Sequence, residues 1–293
     1  LTITRSTDGG NSFQFWGTVT QSNNRDLDNG HLVQLSNGDI VCTFRNHDGH
    51  SPSTDTFYRI TASISHDNGQ TWSFLSQIDQ RAKNGVNGLW VPFGRISKSS
   101  ALQVYYASEN NAGDQDILMR SSTDGGLTWS GVTVVAGGST TGRDGMPGCA
   151  DFTTNGQAKV MCVFETTEGL GRFNVKSVVS NDDGNTWGER AQVYIATGDN
   201  NNAGAPQVMA ATGGALVVSF MTDEDTSQHN WPTNGADMKI VTSDFTDPAK
   251  WGRKTLVSGV QSNWPGLLAK NDGGALGCAG HNGSSVCHQI HFS

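Results

Sequence analysis

The chain has 293 residues, among them 37 Gly, 7 Pro and 8 Trp, with 16% charged residues and a net charge of −8. That length supports a full hydrophobic core, and the acidic balance excludes the clustered Lys/Arg surface that nucleic acid or an anionic membrane requires. No apolar run approaches the ~18 residues of a membrane-spanning helix, and abundant glycine with few charges disfavours long helices.

The chain opens on Leu1-Thr2-Ile3-Thr4-Arg5, which lacks the pattern of a signal peptide. Next comes Ser6-Thr7-Asp8-Gly9-Gly10-Asn11-Ser12-Phe13, a weak copy of an octapeptide, Ser-x-Asp-x-Gly-x-Thr-Trp, and then a strand from Phe15 to Val19. Full copies run from Ser65 to Trp72, Ser122 to Trp129 and Ser180 to Trp187, with a degenerate one from Ser243 to Trp251. Their closing aromatics are 57 to 64 residues apart, a period suited to a propeller blade of several short strands. Each octapeptide predicts a hairpin turn in which Ser and Asp bond nearby backbone and Gly supplies positive φ. Its Asp is therefore a turn former rather than a catalyst or a calcium ligand.

Between the octapeptides, five segments share an apolar strand, a turn and a second strand ending in polar groups. They run from Leu32 to His47, Phe93 to Asn110, Ala150 to Glu165, Gln207 to Asp225 and Gly266 to Asn282. Four begin at an x-Pro step: Val91-Pro92, Met146-Pro147, Ala205-Pro206 and Trp264-Pro265. Proline is tolerated at a strand's first residue, and the residue before it is expected to be extended. Each unit thus reads strand, strand, strand, Asp-containing turn, strand. The expected architecture is one all-β domain over 1–293, a propeller of five four-stranded antiparallel blades, with strands from both ends of the chain sharing one blade. Six blades would need a further leading segment.

The polar ends of second strands and the starts of first strands would converge on one face. This collects Asp28, Arg45, Asn46, His47, Trp90, Tyr106, Asn110, Arg143, Asp144, Arg172, Asn202, Asp225, His229 and Trp264 as candidate sugar-binding residues. Carboxylates among aromatics, amides and guanidinium groups suit a sugar, whose C–H faces pack on rings while its hydroxyls bond to the polar groups. Glu165, in Phe164-Glu165-Thr166-Thr167, is the best single catalytic candidate, with Asp28, Asp144, Glu109, Glu224 and Asp225 as alternatives. No phosphate-binding glycine loop, Gly-x-Ser-x-Gly or His-Glu-x-x-His motif competes, and no metal or cofactor is expected.

The octapeptides resemble the Asp-boxes of sialidases. Longer stretches resemble the glycoside hydrolase family 93 exo-arabinanases: Phe44-Arg45-Asn46-His47, Asp114-Gln115-Asp116, Arg143-Asp144-Gly145-Met146, Asn201 to Gln207, Phe220 to Thr226 and Gln261 to Leu267. The resemblance implies a six-bladed propeller and a retaining mechanism with two glutamates, Glu165 standing where the acid/base is expected. The other family carboxylate belongs to a Trp-Glu-Pro-Phe step that here reads Trp90-Val91-Pro92-Phe93, and valine is not a competent nucleophile. The expected function is accordingly a lectin-like propeller on a hydrolase-related scaffold, binding an oligosaccharide or polysaccharide. An exo-acting retaining hydrolase using Glu165 and a protein-interaction propeller are the alternatives.

Of the five cysteines, Cys278 and Cys287 fall on neighbouring strands where a bridge is possible, while Cys42 and Cys162 read as small buried hydrophobes. Asn282-Gly283-Ser284 is a glycosylation sequon, and the resemblance favours secretion.

Overall fold

The computed structural model describes residues 1–49, 51, 53–227, 231, 235–244, 247–281 and 283–292. The regular structure of these residues is all β, and none of it is a helix long and apolar enough to cross a membrane. Contacts divide the chain into two compact units, Leu1–Gly138 and Ser139–Ser293.

In the first unit, β1 (Thr2–Arg5) pairs with β2 (Gln14–Thr18). A four-stranded sheet follows, formed by β3 (Asp26–Gln34), β4 (Ile40–His47), β5 (Phe57–Ser65) and β6 (Ser73–Ala82). A second comprises β7 (Leu89–Ile96), β8 (Leu102–Asn111), β9 (Asp114–Ser122) and β10 (Thr133–Ala136). The second unit holds two more: β11 (Gly145–Thr154), β12 (Gln157–Thr166), β13 (Asn174–Ser180) and β14 (Gly188–Tyr194), then β15 (Ala203–Ala210), β16 (Leu216–Thr222), β17 (Asp237–Ser243) and β18 (Trp251–Ser258). It closes with a three-stranded sheet of β19 (Ser262–Ala269), β20 (Ala275–His281) and β21 (Ser284–Ile290).

Every sheet is an antiparallel meander, and the fold class is the expected β-propeller of four-stranded blades. The expected count of five corresponds to four complete sheets plus the strands at the two chain ends. Those strands are hydrogen-bonded as two separate sheets among the described residues.

The octapeptides form the turns read from the sequence. Between β5 and β6, the Ser65 hydroxyl donates to Asp67 (2.8 Å) and accepts the Gly69 N–H (2.8 Å), while Thr71 donates to Asp67 (2.6 Å). Asn68 and Gly69 are left-handed (φ 60° and 88°), and Trp72 Nε1 donates to the Gly69 carbonyl at 2.9 Å. Hydrogen bonds from Thr71 and Ser65 hold the Asp67 carboxyl down at about 2. The same pattern recurs at Ser122–Asp124–Thr128 and Ser180–Asp182–Thr186, and with Ser12 in place of Thr at Ser6–Asp8. In the degenerate copy, residues 245 and 246 lie outside the described residues.

Apolar side chains fill the space between sheets. Val33, Ile60, Leu89, Val104 and Tyr106 share one cluster in the first unit, and Val163, Val175, Val218 and Phe220 share another in the second. Burial of this kind is the dominant favourable contribution to such a fold.

The x-Pro steps depart from expectation. The prolines lie inside the first strands, at a register shift that recurs in every first strand: Asp28/His31, Trp90/Phe93, Gly145/Gly148, Gly204/Gln207 and Asn263/Gly266. The residue before each proline is left-handed rather than extended, with φ 42° at Val91, 52° at Met146, 48° at Ala205 and 55° at Trp264. Asn29, where no proline follows, has φ 55° at the same place. Proline lacks an N–H, and a bulge is where the ladder leaves a position unpaired, so the step marks a bulge instead of a strand start.

Cys162 also corrects its reading. It is bonded to Cys149, its direct cross-strand partner between β11 and β12, so register rather than residue type decides its state. Cys278 and Cys287 are joined in the same way between β20 and β21, and Cys42 is a buried free thiol. The sequon asparagine, Asn282, lies outside the described residues.

Candidate functional site

The bulges decide which residues meet. Each sits at the start of a first strand and pairs with the polar end of the second strand, as in Asp28↔Arg45, Gly145↔Glu165 and Asn263↔Gly280.

In the second unit, Glu165 is the penultimate residue of β12 and its Oε2 accepts the Ala205 N–H of the next sheet's bulge (2.8 Å). Beside it lies an apolar cluster of Ala205, Met221, Trp231 and Ala236, with Met146 and Phe173 packed against it. The Phe173 and Trp231 rings are 5.3 Å apart. Gly204 belongs to this construction, because a Cβ there would strike both Glu165 Oε2 and the Trp231 ring. Burial pushes the Glu165 carboxyl up to about 7, opposed by the Ala205 N–H and the positive charge of Arg143. Trp264, on the β19 bulge, donates its N–H to Met221 Sδ (3.3 Å) and leaves its side chain half-exposed.

Three other acidic groups of this unit are engaged. Asp144 is fully buried and bidentate with Arg190 (2.7 and 2.9 Å), yet burial still raises its pKa. Asp225 pairs with Lys239. Glu224 accepts from Tyr194, Lys239, Lys254 and the Thr197 N–H, which hold it near 2 against its burial. Arg172 donates to the carbonyls of Ala196 (3.3 Å) and Asn201 (2.6 Å), and Asn202 accepts the Phe173 N–H (3.0 Å). These two residues hold the chain around Phe173 and the β15 start. His229 lies outside the described residues.

In the first unit, Arg45 pairs with Asp26 (3.0 Å) and Asp28 (3.2 Å) and lies over the Trp90 ring at 5.3 Å. His47 is wholly buried, its Nε2 donating to the Leu89 carbonyl (2.8 Å) and its ring edge-on to Trp90. Trp90 is thus packed on its faces, unlike Trp264. Asn46 accepts from Arg25 and donates to Thr61, and Asn110 bonds Asp114 and Asp116. Tyr106 is fully buried in the core with its hydroxyl on Asp79 (2.7 Å). Val91 occupies the bulge position between Trp90 and Pro92. Among the described residues, no group of three or more His, Cys, Asp or Glu side chains is arranged to hold a metal ion.

The BNR repeat-like domain matches residues 1–278. The chain belongs to that family. The BNR blade with its Asp-containing turn is the unit that recurs through both halves of the chain. No curated protein matches this BNR chain. Among solved structures, the GH93 α-L-arabinofuranosidase of Fusarium graminearum, in complex with arabinobiose, superposes with a TM-score of 0.72 at 22% identity. That match covers 99% of this chain and 84% of the other. An α-L-arabinanase from Penicillium chrysogenum, also complexed with arabinobiose, gives 0.65 at 19% over 89% and 77%. The NanB sialidase of Streptococcus pneumoniae gives 0.65 at 9% over 99% and 63%. At these identities the likeness is one of fold. The BNR chain accordingly shares their propeller fold.

Three residues of the site escape the sequence patterns. Trp231 closes no octapeptide and begins no repeat segment, although its place before Pro232 parallels Trp264 before Pro265. Gly204 is one glycine among 37, and Arg190 is a lone cation outside every motif.

Val91 carries a testable strain. A β-branched residue at φ 42° is a steric outlier, worth about 1–3 kcal/mol, whereas Asn tolerates this region and holds it at position 29. Val91→Asn is expected to raise stability by about 1 kcal/mol, seen as a higher urea midpoint with an unchanged slope. An unchanged or lower midpoint would show that the BNR bulge stores no strain there.

Proposed function

We propose that the protein is a lectin-like β-propeller that binds arabinose-containing oligosaccharides at the Glu165 site without turning them over. The reading is carried by the five bulge residues: Asn29, Val91, Met146, Ala205 and Trp264 include no carboxylate. A retaining mechanism needs two carboxyl groups about 5–5.5 Å apart, and the step that supplies one in the resembling enzymes holds valine here. What the site offers instead is a half-exposed indole and an apolar floor beside one carboxyl that holds its proton near neutrality. Such a surface packs sugar C–H groups while the carboxyl donates to a ring or hydroxyl oxygen. The arabinobiose bound by two similar structures guides the choice of sugar. Two disulfides fit an oxidising compartment, which supports secretion.

One observation favours a second reading, an exo-acting hydrolase: a carboxyl titrating near 7 is suited to general-acid catalysis. Calorimetry with linear arabino-oligosaccharides, run beside an assay for released sugar, separates the two. The binder reading expects saturable heat, at least about tenfold weaker in Trp264→Ala, and no release. Release at ordinary glycosidase rates, about 1–10³ s⁻¹, that Glu165→Gln abolishes would overturn it.

A further inference from the structure

Glu165 does not stand alone electrically, because Arg143, two residues before the Gly145 that pairs with it, lowers the cost of its ionisation. The backbone of Arg143 is bracketed on either side of its Cα. On one side, its own N–H donates to Thr167 Oγ1 at 3.0 Å. On the other, Asp144 is fully buried and gripped by both terminal nitrogens of Arg190 (2.7 and 2.9 Å). Arg190 itself lies over the Phe164 ring (4.7 Å) and donates to Glu168 through Nε (2.8 Å). Glu168 in turn accepts from Lys176 (2.6 Å). The guanidinium fork on β14 is therefore fixed in plane before it meets Asp144, and a fixed planar fork transmits orientation as well as charge.

We propose that Arg190 is a positioning residue for the Glu165 site: by clamping Asp144 it fixes the adjacent Arg143 and so sets the charge that a ligand meets beside Glu165. The proposal rests on the reading of Glu165 as the ligand-facing carboxyl. The charged groups involved are Arg143 toward Glu165, and Asp144, Glu168 and Lys176 toward Arg190. When the clamp is loosened, Arg143 stabilises the ionised carboxylate less, and Glu165 keeps its proton to higher pH.

The test uses the ligand-free protein, so that it stays distinct from the binding question. The side-chain carboxyl carbon of Glu165 is followed by NMR against pH and assigned by its loss in Glu165→Gln. In Arg190→Lys, the titration midpoint should rise from about 7 by roughly half a unit or more. The double variant Arg190→Met/Asp144→Asn, which leaves no unpaired buried charge, should show the same rise. Arg143→Gln should reproduce it, and adding Arg190→Lys to Arg143→Gln should add nothing. Lys176→Met, which touches only Glu168, should leave the midpoint in place. An unchanged midpoint in both folded Arg190 variants would overturn the proposal, as would an equal rise in Lys176→Met or full additivity with Arg143→Gln. If the midpoints move as stated but no arabino-oligosaccharide binds, the positioning role stands and the ligand reading fails.

Discussion

Glu165→Gln should make the protein more stable at pH 8 by about 2 kcal/mol and leave its stability at pH 4 unchanged. The folded carboxyl titrates near 7, above its ordinary value of 4.5, because burial disfavours the charge. The folded state therefore holds a proton that the unfolded chain gives up, and stability falls as pH rises from about 4.5 to about 7. Above that window the whole penalty is present. At about 1.4 kcal/mol per unit the limit is about 3 kcal/mol, reduced here because Glu165 is partly exposed. Glutamine keeps the acceptor for the Ala205 N–H and has no charge to bury. Urea unfolding of both proteins at the two pH values reads the difference, and an equal difference at both would contradict the assignment.

Gly204→Ala should lower stability by about 1–3 kcal/mol and weaken sugar binding about tenfold. The added Cβ would stand 2.5 Å from Trp231 Cη2 and would also strike Glu165 Oε2, so both must give way or the backbone must shift. Displacing the carboxyl breaks its bond to Ala205; displacing the indole opens the cluster with Phe173 and Met221. Gly266→Ala is the matched control, since a Cβ there meets nothing within 4 Å, and its effect should stay within about 0.5 kcal/mol. Equal effects at the two glycines would mean that the close approach at Gly204 is not what holds the site.

The octapeptide turns were legible because their chemistry is local: Ser65, Asp67, Gly69 and Thr71 satisfy one another within seven residues. The x-Pro steps marked the right places and the wrong conformation, since a bulge depends on the facing strand, which a dipeptide does not reveal. Cys162 was misread for the same reason, its partner Cys149 being set by register. Within the site, Glu165 was found by its place at the end of an apolar strand. Trp90 and Trp264 looked equivalent in sequence, yet Arg45 and His47 cover the first while the second stays half-exposed. Tyr106 lies mid-strand in β8, short of the polar end of that strand, and is buried in the core. Arg190 and Trp231 act through contacts made far along the chain, so no local pattern could mark them.

The most direct test of the central claim is a crystal structure of the protein with arabinobiose. The account predicts an intact disaccharide with an oxygen within hydrogen-bond distance of Glu165 and a C–H face against Trp264 or Trp231. A cleaved sugar, or one bound away from Glu165, would contradict it.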